Sequence, residues 1–420
     1  MTHSTIKKAK SCIICSTNVQ PILDLGQQPL ANSLIEDSDH PFHTYPLGLS
    51  VCPSCTHGQL THFVDPKEIF VDYLYASGTS QTLKDFFSWF AGKIVASLGT
   101  DIEVLELASN DGSLLDALRQ QGLNPTGIDP AENLCEVASK NGHSVKCGFF
   151  PVVRPDAPVD VIVAMNVAAH TPDPSNFAQG IYDCLRPGGV ALIQTSQANM
   201  IANGEFDTIY HEHYSFYTAK SMSTLARSVG LELERVELVS VHGNSFLFTL
   251  RKPGGNPRKI DFSDTDQKGF YVALPDPLPP LFNPNCPEGT ASDIYERFAA
   301  AAEEKMYATS KLLDEHVADG KFLGLVGVAA KALTFVHAAG LKPRYFFDEA
   351  SLKIGRFVPG SQTPILPLSA LESIDQDVVL LIGAWNFAPE LAEKIGENIR
   401  GTAMEHRVTL IVHQPELGIL

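Results

Sequence analysis

Positive charge is scarce in this 420-residue chain: 31 Lys and Arg stand against 48 Asp and Glu, a formal net charge of −17. That balance excludes a broad surface for a nucleic-acid backbone, whose affinity leans on Lys and Arg. A local basic pocket for one small anion stays open. Long apolar runs are also missing. No stretch of about 18 apolar residues occurs, so no membrane span is expected. The opening stretch Met1–Lys10 is polar and lysine-bearing, with no apolar run behind it, and is not read as a secretory signal. Tandem repeats and low-complexity segments are lacking. What remains is ordinary for a globular chain, 44% apolar and 19% charged. At about 150 residues per domain, the length suggests two or three domains.

The eight cysteines are unevenly placed. Four form two doublets of one spacing, Cys12-Ile-Ile-Cys15 and Cys52-Pro-Ser-Cys55. In the reducing cytosol, the expected compartment, disulfides are rare. Two such doublets then read as four thiolates around one Zn²⁺, because a two-residue gap lets both sulfurs of a turn reach one tetrahedral centre. Four sulfurs leave no open position for substrate, so the expected role is structural. The gap between doublets is long, and an insertion must fill it. The remaining cysteines, Cys135, Cys147, Cys184 and Cys286, are scattered and expected to be buried or idle.

Apolar spacing predicts a helix over Ser80–Leu98, through Leu83, Phe86, Phe87, Phe90, Ile94 and Val95. From Asp101 to about Lys252, short apolar runs alternate with helical stretches, the rhythm of βαβ units on a parallel sheet. Proline-rich Pro253–Gly289 reads as a linker. A second βαβ-like region runs from Phe322 to the end. The expected class is α/β.

The first strand of the first region ends in Glu106-Leu-Ala-Ser-Asn-Asp-Gly112 and enters a helix. A dinucleotide site would place glycines there to cradle a pyrophosphate. Here Asn110 and Asp111 supply acid and amide, which suit a cationic or zwitterionic ligand. The second strand ends at Asp129, where a carboxylate can accept hydrogen bonds from ribose hydroxyls. Adenosine without phosphate, with an amino group and a sulfonium, satisfies both features: S-adenosylmethionine.

In order along the chain, several motifs resemble one family, the zinc-containing sugar C-methyltransferases that act on nucleotide-linked keto-deoxysugars. They are the double Cys-x-x-Cys, Tyr73-Leu-Tyr-Ala-Ser-Gly-Thr-Ser80, the Glu106–Gly112 turn, Asn166-Val-Ala-Ala-His170 and Ile209-Tyr-His-Glu-His213. Gly327-Val-Ala-Ala-Lys331, Pro359-Gly360 and Ala384-Trp-Asn386 follow. The resemblance implies a zinc-binding module over residues 1–75 and a Rossmann-like class I methyltransferase domain over 76–255. It implies a C-terminal Rossmann-like substrate-binding domain over 256–420. It places the cofactor on Glu106, Ala108, Asn110, Asp111, Gly112, Asp129, Pro130 and Asn166, with Ser77 and Thr79 from the Tyr73–Ser80 segment.

Methylating carbon requires a carbanion equivalent, which a carbon beside a ketone supplies once a base removes its proton. By resemblance His213 is that base and Glu212 its paired carboxylate. Tyr210 meets the substrate or the developing oxyanion, and His170 is a second polar contact. Spacing alone leaves open whether His211 shares a face with His213; His211 is expected to face solvent. Gly327 to Lys331 opens a helix after a strand, so its amides and the lysine would favour an anion such as a nucleotide diphosphate. Lys331, Asn386 and Tyr75 are the expected substrate contacts. The expected substrate is a nucleotide sugar. A non-sugar keto or acyl substrate, or a zinc-bearing binding protein without catalysis, are the alternatives. Oligomeric state is not legible.

Overall fold

The computed structural model describes residues 6–70, 81–196, 198–241, 243–262 and 269–420. It divides into two compact units, each drawn from three stretches of chain. One comprises Met1–Gln20, Ser50–Asn199 and Glu212–Asp293; the other comprises Pro21–Leu49, Met200–His211 and Ile294–Leu420. Among the described residues, no helix is long and apolar enough to cross a membrane.

The first unit is built on an eight-stranded sheet. Its strands are β1 (Val104–Leu107), β2 (Thr126–Asp129), β3 (Ser144–Cys147), β4 (Val159–Met165), β5 (Leu185–Thr195), β6 (Glu232–Val239), β7 (Ser245–Arg251) and β8 (Tyr271–Val272). Their order is β8-β6-β7-β5-β4-β1-β2-β3. Strands β1 to β5 pair in parallel, while β7 inserts antiparallel beside β5, Val190 opposite Arg251. The central strands are buried on both faces, which is why β4 reads Val-Asp-Val-Ile-Val-Ala-Met rather than alternating. The chain reverses between β1 and β4, so their carboxyl ends flank the crevice where such sheets bind ligands.

Helix α1 (Gln81–Leu98) buries Leu83, Phe86, Phe87, Phe90 and Ile94, the face its spacing predicted. The proline-rich stretch expected to be a linker does more than connect. Its Ile260, Phe262 and Phe270 join the core under α1. Phe262 stacks on Phe90 at 5.3 Å between centroids, and Phe270 meets Phe86 edge-on at 5.6 Å. Prolines stop regular structure there without stopping burial of the aromatic side chains between them.

The second unit carries a six-stranded sheet of β9 (Phe322–Val326), β10 (Tyr345–Phe347), β11 (Ile365–Leu366), β12 (Val378–Ile382), β13 (Val408–Val412) and β14 (Gly418–Ile419), in the order β11-β10-β9-β12-β13-β14. All neighbours pair in parallel except β14. This is the doubly wound order, with its switch point between β9 and β12. The insertion between the cysteine doublets belongs largely to this unit. Ile35 and Phe357 exchange both backbone hydrogen bonds, at 3.0 and 2.7 Å.

Candidate active site

The two cysteine turns repeat one geometry. The Ser16 amide donates to the Cys12 carbonyl at 2.9 Å, and the Thr56 amide to the Cys52 carbonyl at 3.0 Å. Ser16 and Thr56 both take positive φ, 62° and 63°. All four Sγ atoms lie within 4.8 Å of one another. Cys12 and Cys55 are 3.6 Å apart, Cys15 and Cys52 3.4 Å, and Cys15 and Cys55 3.5 Å. A tetrahedral site with Zn–S bonds of about 2.3 Å has edges of about 3.8 Å, so the cluster fits the metal. Proton competition says the same. Contact with Cys52 pushes the Cys12 thiol up to about 12, while contact with Cys12 holds Cys52 far below its ordinary value. Without a cation, one thiolate forms at the expense of its neighbours. Cys12, Cys15, Cys52 and Cys55 are the residues that would hold the zinc, and four sulfurs around it would leave no open position, as in a structural site. His57 is buried against the Tyr217 ring, 5.1 Å between centroids, outside the cluster.

At the carboxyl end of β1 the chain turns sharply. Ala108, Asn110 and Gly112 all have positive φ, 52°, 51° and 87°. A Cβ on Gly112 would come within 2.6 Å of the His143 ring, so the position requires glycine on two counts. The Asp129 carboxylate at the end of β2 holds this turn. It accepts the Asn110 amide and the Ala131 amide, each at 2.8 Å. Asp111 accepts the Ser113 hydroxyl at 2.6 Å. Pro130 lies half-buried between Asp129 and Ala131. Asn166 follows β4, also at positive φ, 56°, with its amide on the Gln194 carbonyl at 3.0 Å.

Three buried polar atoms at these strand ends find no protein partner: Glu106 Oε2, Ser109 Oγ and Asn166 Oδ1. Buried polar atoms are normally satisfied, so each of the three is a candidate contact for a bound ligand. Burial, with Asp129 and Asp111 as added negative neighbours, pushes the Glu106 carboxyl well above the ordinary range. Burial likewise raises Asp129, against the two amides that pull it down. A cationic ligand relieves this repulsion, and S-adenosylmethionine fits the donor set. Ser109 was not singled out in the sequence; only its place inside the Glu106–Gly112 turn signals it.

The residues expected for chemistry fall in two groups. His170, Glu212 and His213 lie in the first unit. The His170 and His213 rings are 4.9 Å apart at 57°. His170 Nδ1 lies 2.9 Å from the Glu212 carbonyl oxygen. A carbonyl only accepts, so Nδ1 carries the proton and Nε2 is left as an acceptor. Burial pushes His170 down to about 4, so the ring is neutral at pH 7. His213 and Glu212 are both buried. His211 does not face solvent as expected. It is 2% exposed, edge-on to Tyr45 at 5.8 Å, and burial pushes it down to about 4. The stretch is neither strand nor helix at 211–212 but a turn, so alternation along an extended strand does not set where its histidines point. Tyr75, Ser77 and Thr79 lie outside the described residues.

In the second unit, half-buried Tyr210 precedes this turn. Gly327 follows β9 at φ 80° and leads into helix α2 (Ala330–Ala338), which carries Lys331 in its first turn. The Lys331 ammonium rests over the Trp385 ring, 4.7 Å from its centroid. Trp385 Nε1–H donates to Asp207 Oδ2 at 2.7 Å, and Asp207 is fully buried. Burial alone would raise Asp207, but His413 and Lys331 outweigh it and hold the carboxyl below its ordinary value. Asn386, beyond the carboxyl end of β12, is exposed. Sequence reasoning missed Asp207, whose partner lies 178 residues away.

Three family models match the chain in turn: a putative zinc binding domain over residues 12–70, a methyltransferase domain over 75–236, and a C-methyltransferase C-terminal domain over 288–405. C-methyltransferase NovU of Streptomyces niveus is 27% identical over 404 residues, covering 92% of this chain and 92% of that protein. A ubiquinone biosynthesis O-methyltransferase of Cupriavidus pinatubonensis is 24% identical over 36% of this chain and 68% of its own length. Among solved structures, the Haloferax volcanii complex of the Trm112 methyltransferase activator with a putative methyltransferase is 17% identical. It covers 42% of this chain and 94% of that one, with a TM-score of 0.37. With its four-cysteine zinc site, its S-adenosylmethionine fold and its matching C-terminal domain, the chain belongs to the zinc-containing, S-adenosylmethionine-dependent C-methyltransferase family.

Proposed function

We propose that this C-methyltransferase acts on a nucleotide-linked keto-deoxysugar, deprotonating the carbon beside the ketone with His213. The observation that carries the reading is the pair of imidazoles, 4.9 Å apart, half-buried His170 and buried His213, at the Glu212–His213 turn. The Glu212 carbonyl fixes the tautomer of His170 and burial keeps the ring neutral, so it can contact the sugar without competing for the proton. His213 takes the proton, and Glu212 stabilises the imidazolium that results. Tyr210 donates to the developing oxyanion. Bound S-adenosylmethionine supplies an electrophilic methyl group. Glu106, Asn110, Asp111, Asp129, Pro130 and Asn166 hold it, with Ala108 and Gly112 shaping the turn and Ser77 and Thr79 adding hydroxyls. Lys331, Asn386 and Tyr75 contact the substrate, Lys331 at its nucleotide diphosphate. The division of labour follows residues 1–75, 76–255 and 256–420, and the reaction runs in the cytosol without nucleic-acid or membrane partners.

One observation favours a second reading. Lys331 lies in the field of Glu205 and Asp207, so its charge is partly spent before any diphosphate arrives. A neutral keto or acyl substrate would need no such charge. The two readings separate on a panel. Purified protein with S-adenosylmethionine should add one CH₂, by mass, to a 4-keto-6-deoxy nucleotide sugar and not to simple ketones. Activity confined to non-sugar ketones would reverse the choice. His213→Ala should keep cofactor affinity and lose about 10²–10⁴-fold in turnover; unchanged turnover removes His213 as the base.

A further inference from the structure

Of the four cysteines outside the zinc site, two come together. Cys147 is the last residue of β3 and is exposed; Cys135 lies buried in helix α3 (Glu132–Lys140), which packs on that strand. Both line a surface cavity of about 500 Å³ with Val145 and Lys140. The pair sits against Asp129. Cys147 is its register partner on the neighbouring strand. Cys135 donates its S–H to the Asp129 carbonyl at 3.3 Å, an oxygen that also accepts the Gly148 amide at 2.8 Å.

We propose that Cys135 and Cys147 form an oxidisable thiol pair whose closure to a disulfide loosens the β2 end and weakens binding of S-adenosylmethionine. The oxidant class is a hydroperoxide. The exposed Cys147 thiolate attacks the O–O bond; an S–O bond forms, the O–O bond breaks, and with H₂O₂ the leaving oxygen departs as water. Cys135 then attacks the resulting sulfenic sulfur. An S–S bond forms, the S–O bond breaks, and the thiol proton leaves with the hydroxide as a second water. Two thiols are oxidised, and one peroxide is reduced to two waters. Burial, with Cys147 beside it, pushes the Cys135 thiol up, so the closing step quickens as pH rises.

A disulfide needs a sulfur separation of about 2.05 Å, so closure draws the side chains together and removes the S–H donor from Asp129. Asp129 orders the Asn110 and Ala131 amides. The effect on affinity therefore rests on the reading that Asp129 takes the ribose.

The test uses the full-length, zinc-loaded protein with one equivalent of H₂O₂ at pH 8. Peptide mapping after alkylation should find Cys135 joined to Cys147. Calorimetry should show S-adenosylmethionine binding at least about tenfold more weakly, restored by dithiothreitol. Cys147→Ser, a change at an exposed position, should abolish both effects, with zinc retention followed throughout. Sulfinic acid on Cys147 with Cys135 still alkylatable overturns the pair. So does a mapped disulfide with unchanged affinity in a protein where Asp129→Asn does weaken binding. If Asp129→Asn binds as tightly as the wild type, the ribose reading fails instead, while the mapped bond still decides the pair. Equal loss of affinity in Cys147→Ser assigns the effect to the zinc cysteines and overturns the proposal.

Discussion

Each unit has an aspartate at the end of the second strand of its doubly wound sheet, and the two do the same structural work. Asp129 accepts the Asn110 and Ala131 amides at 2.8 Å each. Asp348 accepts the Val328 and Ala350 amides at 2.9 Å each. In both, one bond ties down the turn after the first strand and the other caps the aspartate's own loop. The surroundings then diverge. Lys353 reaches Asp348 at 2.9 Å and takes up its charge. Asp129 faces further acid instead, from Asp111 and, beneath them, buried Glu106. The shared aspartate is therefore scaffold. With no lysine beside it and with the raised carboxyl of Glu106 nearby, the first unit's turn would favour a ligand that brings positive charge.

The largest expected effect removes that difference. Glu106→Gln keeps shape and removes the carboxyl that a bound cation would ionise, and a lost hydrogen bond to a charged group is worth about 1.5–3 kcal/mol. S-adenosylmethionine should bind roughly 10–100-fold more weakly by calorimetry. Because the folded-state pKa of Glu106 lies well above its unfolded value, the folded protein holds a proton that the unfolded chain has released. Stability is then lost as pH rises past the unfolded value, so Glu106→Gln should be more stable than the wild type at pH 7. A cation favours the ionised carboxylate, so cofactor binding should release a proton and tighten with rising pH. Calorimetry in buffers of different ionisation enthalpy reads that release, and Glu106→Gln should not show it.

Next comes the paired substitution. Asp129→Asn should weaken the cofactor by about tenfold, the effect of roughly 1.4 kcal/mol. Asp348→Asn should leave cofactor affinity alone and reduce folding stability by about 1–3 kcal/mol, because Lys353 loses its charged partner. Equal effects of both on affinity would erase the distinction between scaffold and ligand acid.

A smaller effect tests the histidines of the two units. His170 in the first and His211 in the second are both pushed down by burial to about 4 from an ordinary 6.5. The unfolded chain binds protons there that the folded chain refuses, so stability falls as pH drops from about 6.5 to about 4. His211→Phe should shrink the loss of urea midpoint between pH 7 and pH 5. His170 keeps its share of that slope, and an unchanged slope rejects His211 as a contributor.

Local signals carried much of this architecture. The Cys-x-x-Cys doublets, the apolar run of β4 and the acids ending β1 and β2 are each written within a few neighbouring residues. What sequence hid depends on distance or on turns. The insertion between the zinc knuckles is polar and without period, and its backbone pairing with Phe357 ties it to the second unit. Trp385 and Asp207 meet across 178 residues with no pattern linking them. His211, next to a proposed catalytic pair, reads as exposed because polarity is its only local cue, yet the turn folds it under Tyr45. Cys135 and Cys147 look isolated until helix α3 packs on β3.

The residue following the first strand makes the finest comparison. In the second unit it is Gly327, at φ 80°, and a Cβ there would lie 2.7 Å from that of Ala384. In the first unit it is Ala108, at φ 52°. An L-residue in this region costs roughly 1–2 kcal/mol. The position therefore tolerates alanine sterically while storing strain at the cofactor turn. Ala108→Gly releases that strain but frees the unfolded chain, which offsets about 0.4–1 kcal/mol of the gain. The net change should be a stabilisation of roughly 0–1.6 kcal/mol by urea unfolding. If the alanine methyl serves only as packing, cofactor affinity should stay within twofold. If the strain instead preorganises the turn, the Ala108→Gly variant should bind S-adenosylmethionine more weakly even as it folds more stably, because a relaxed turn must be ordered again on binding.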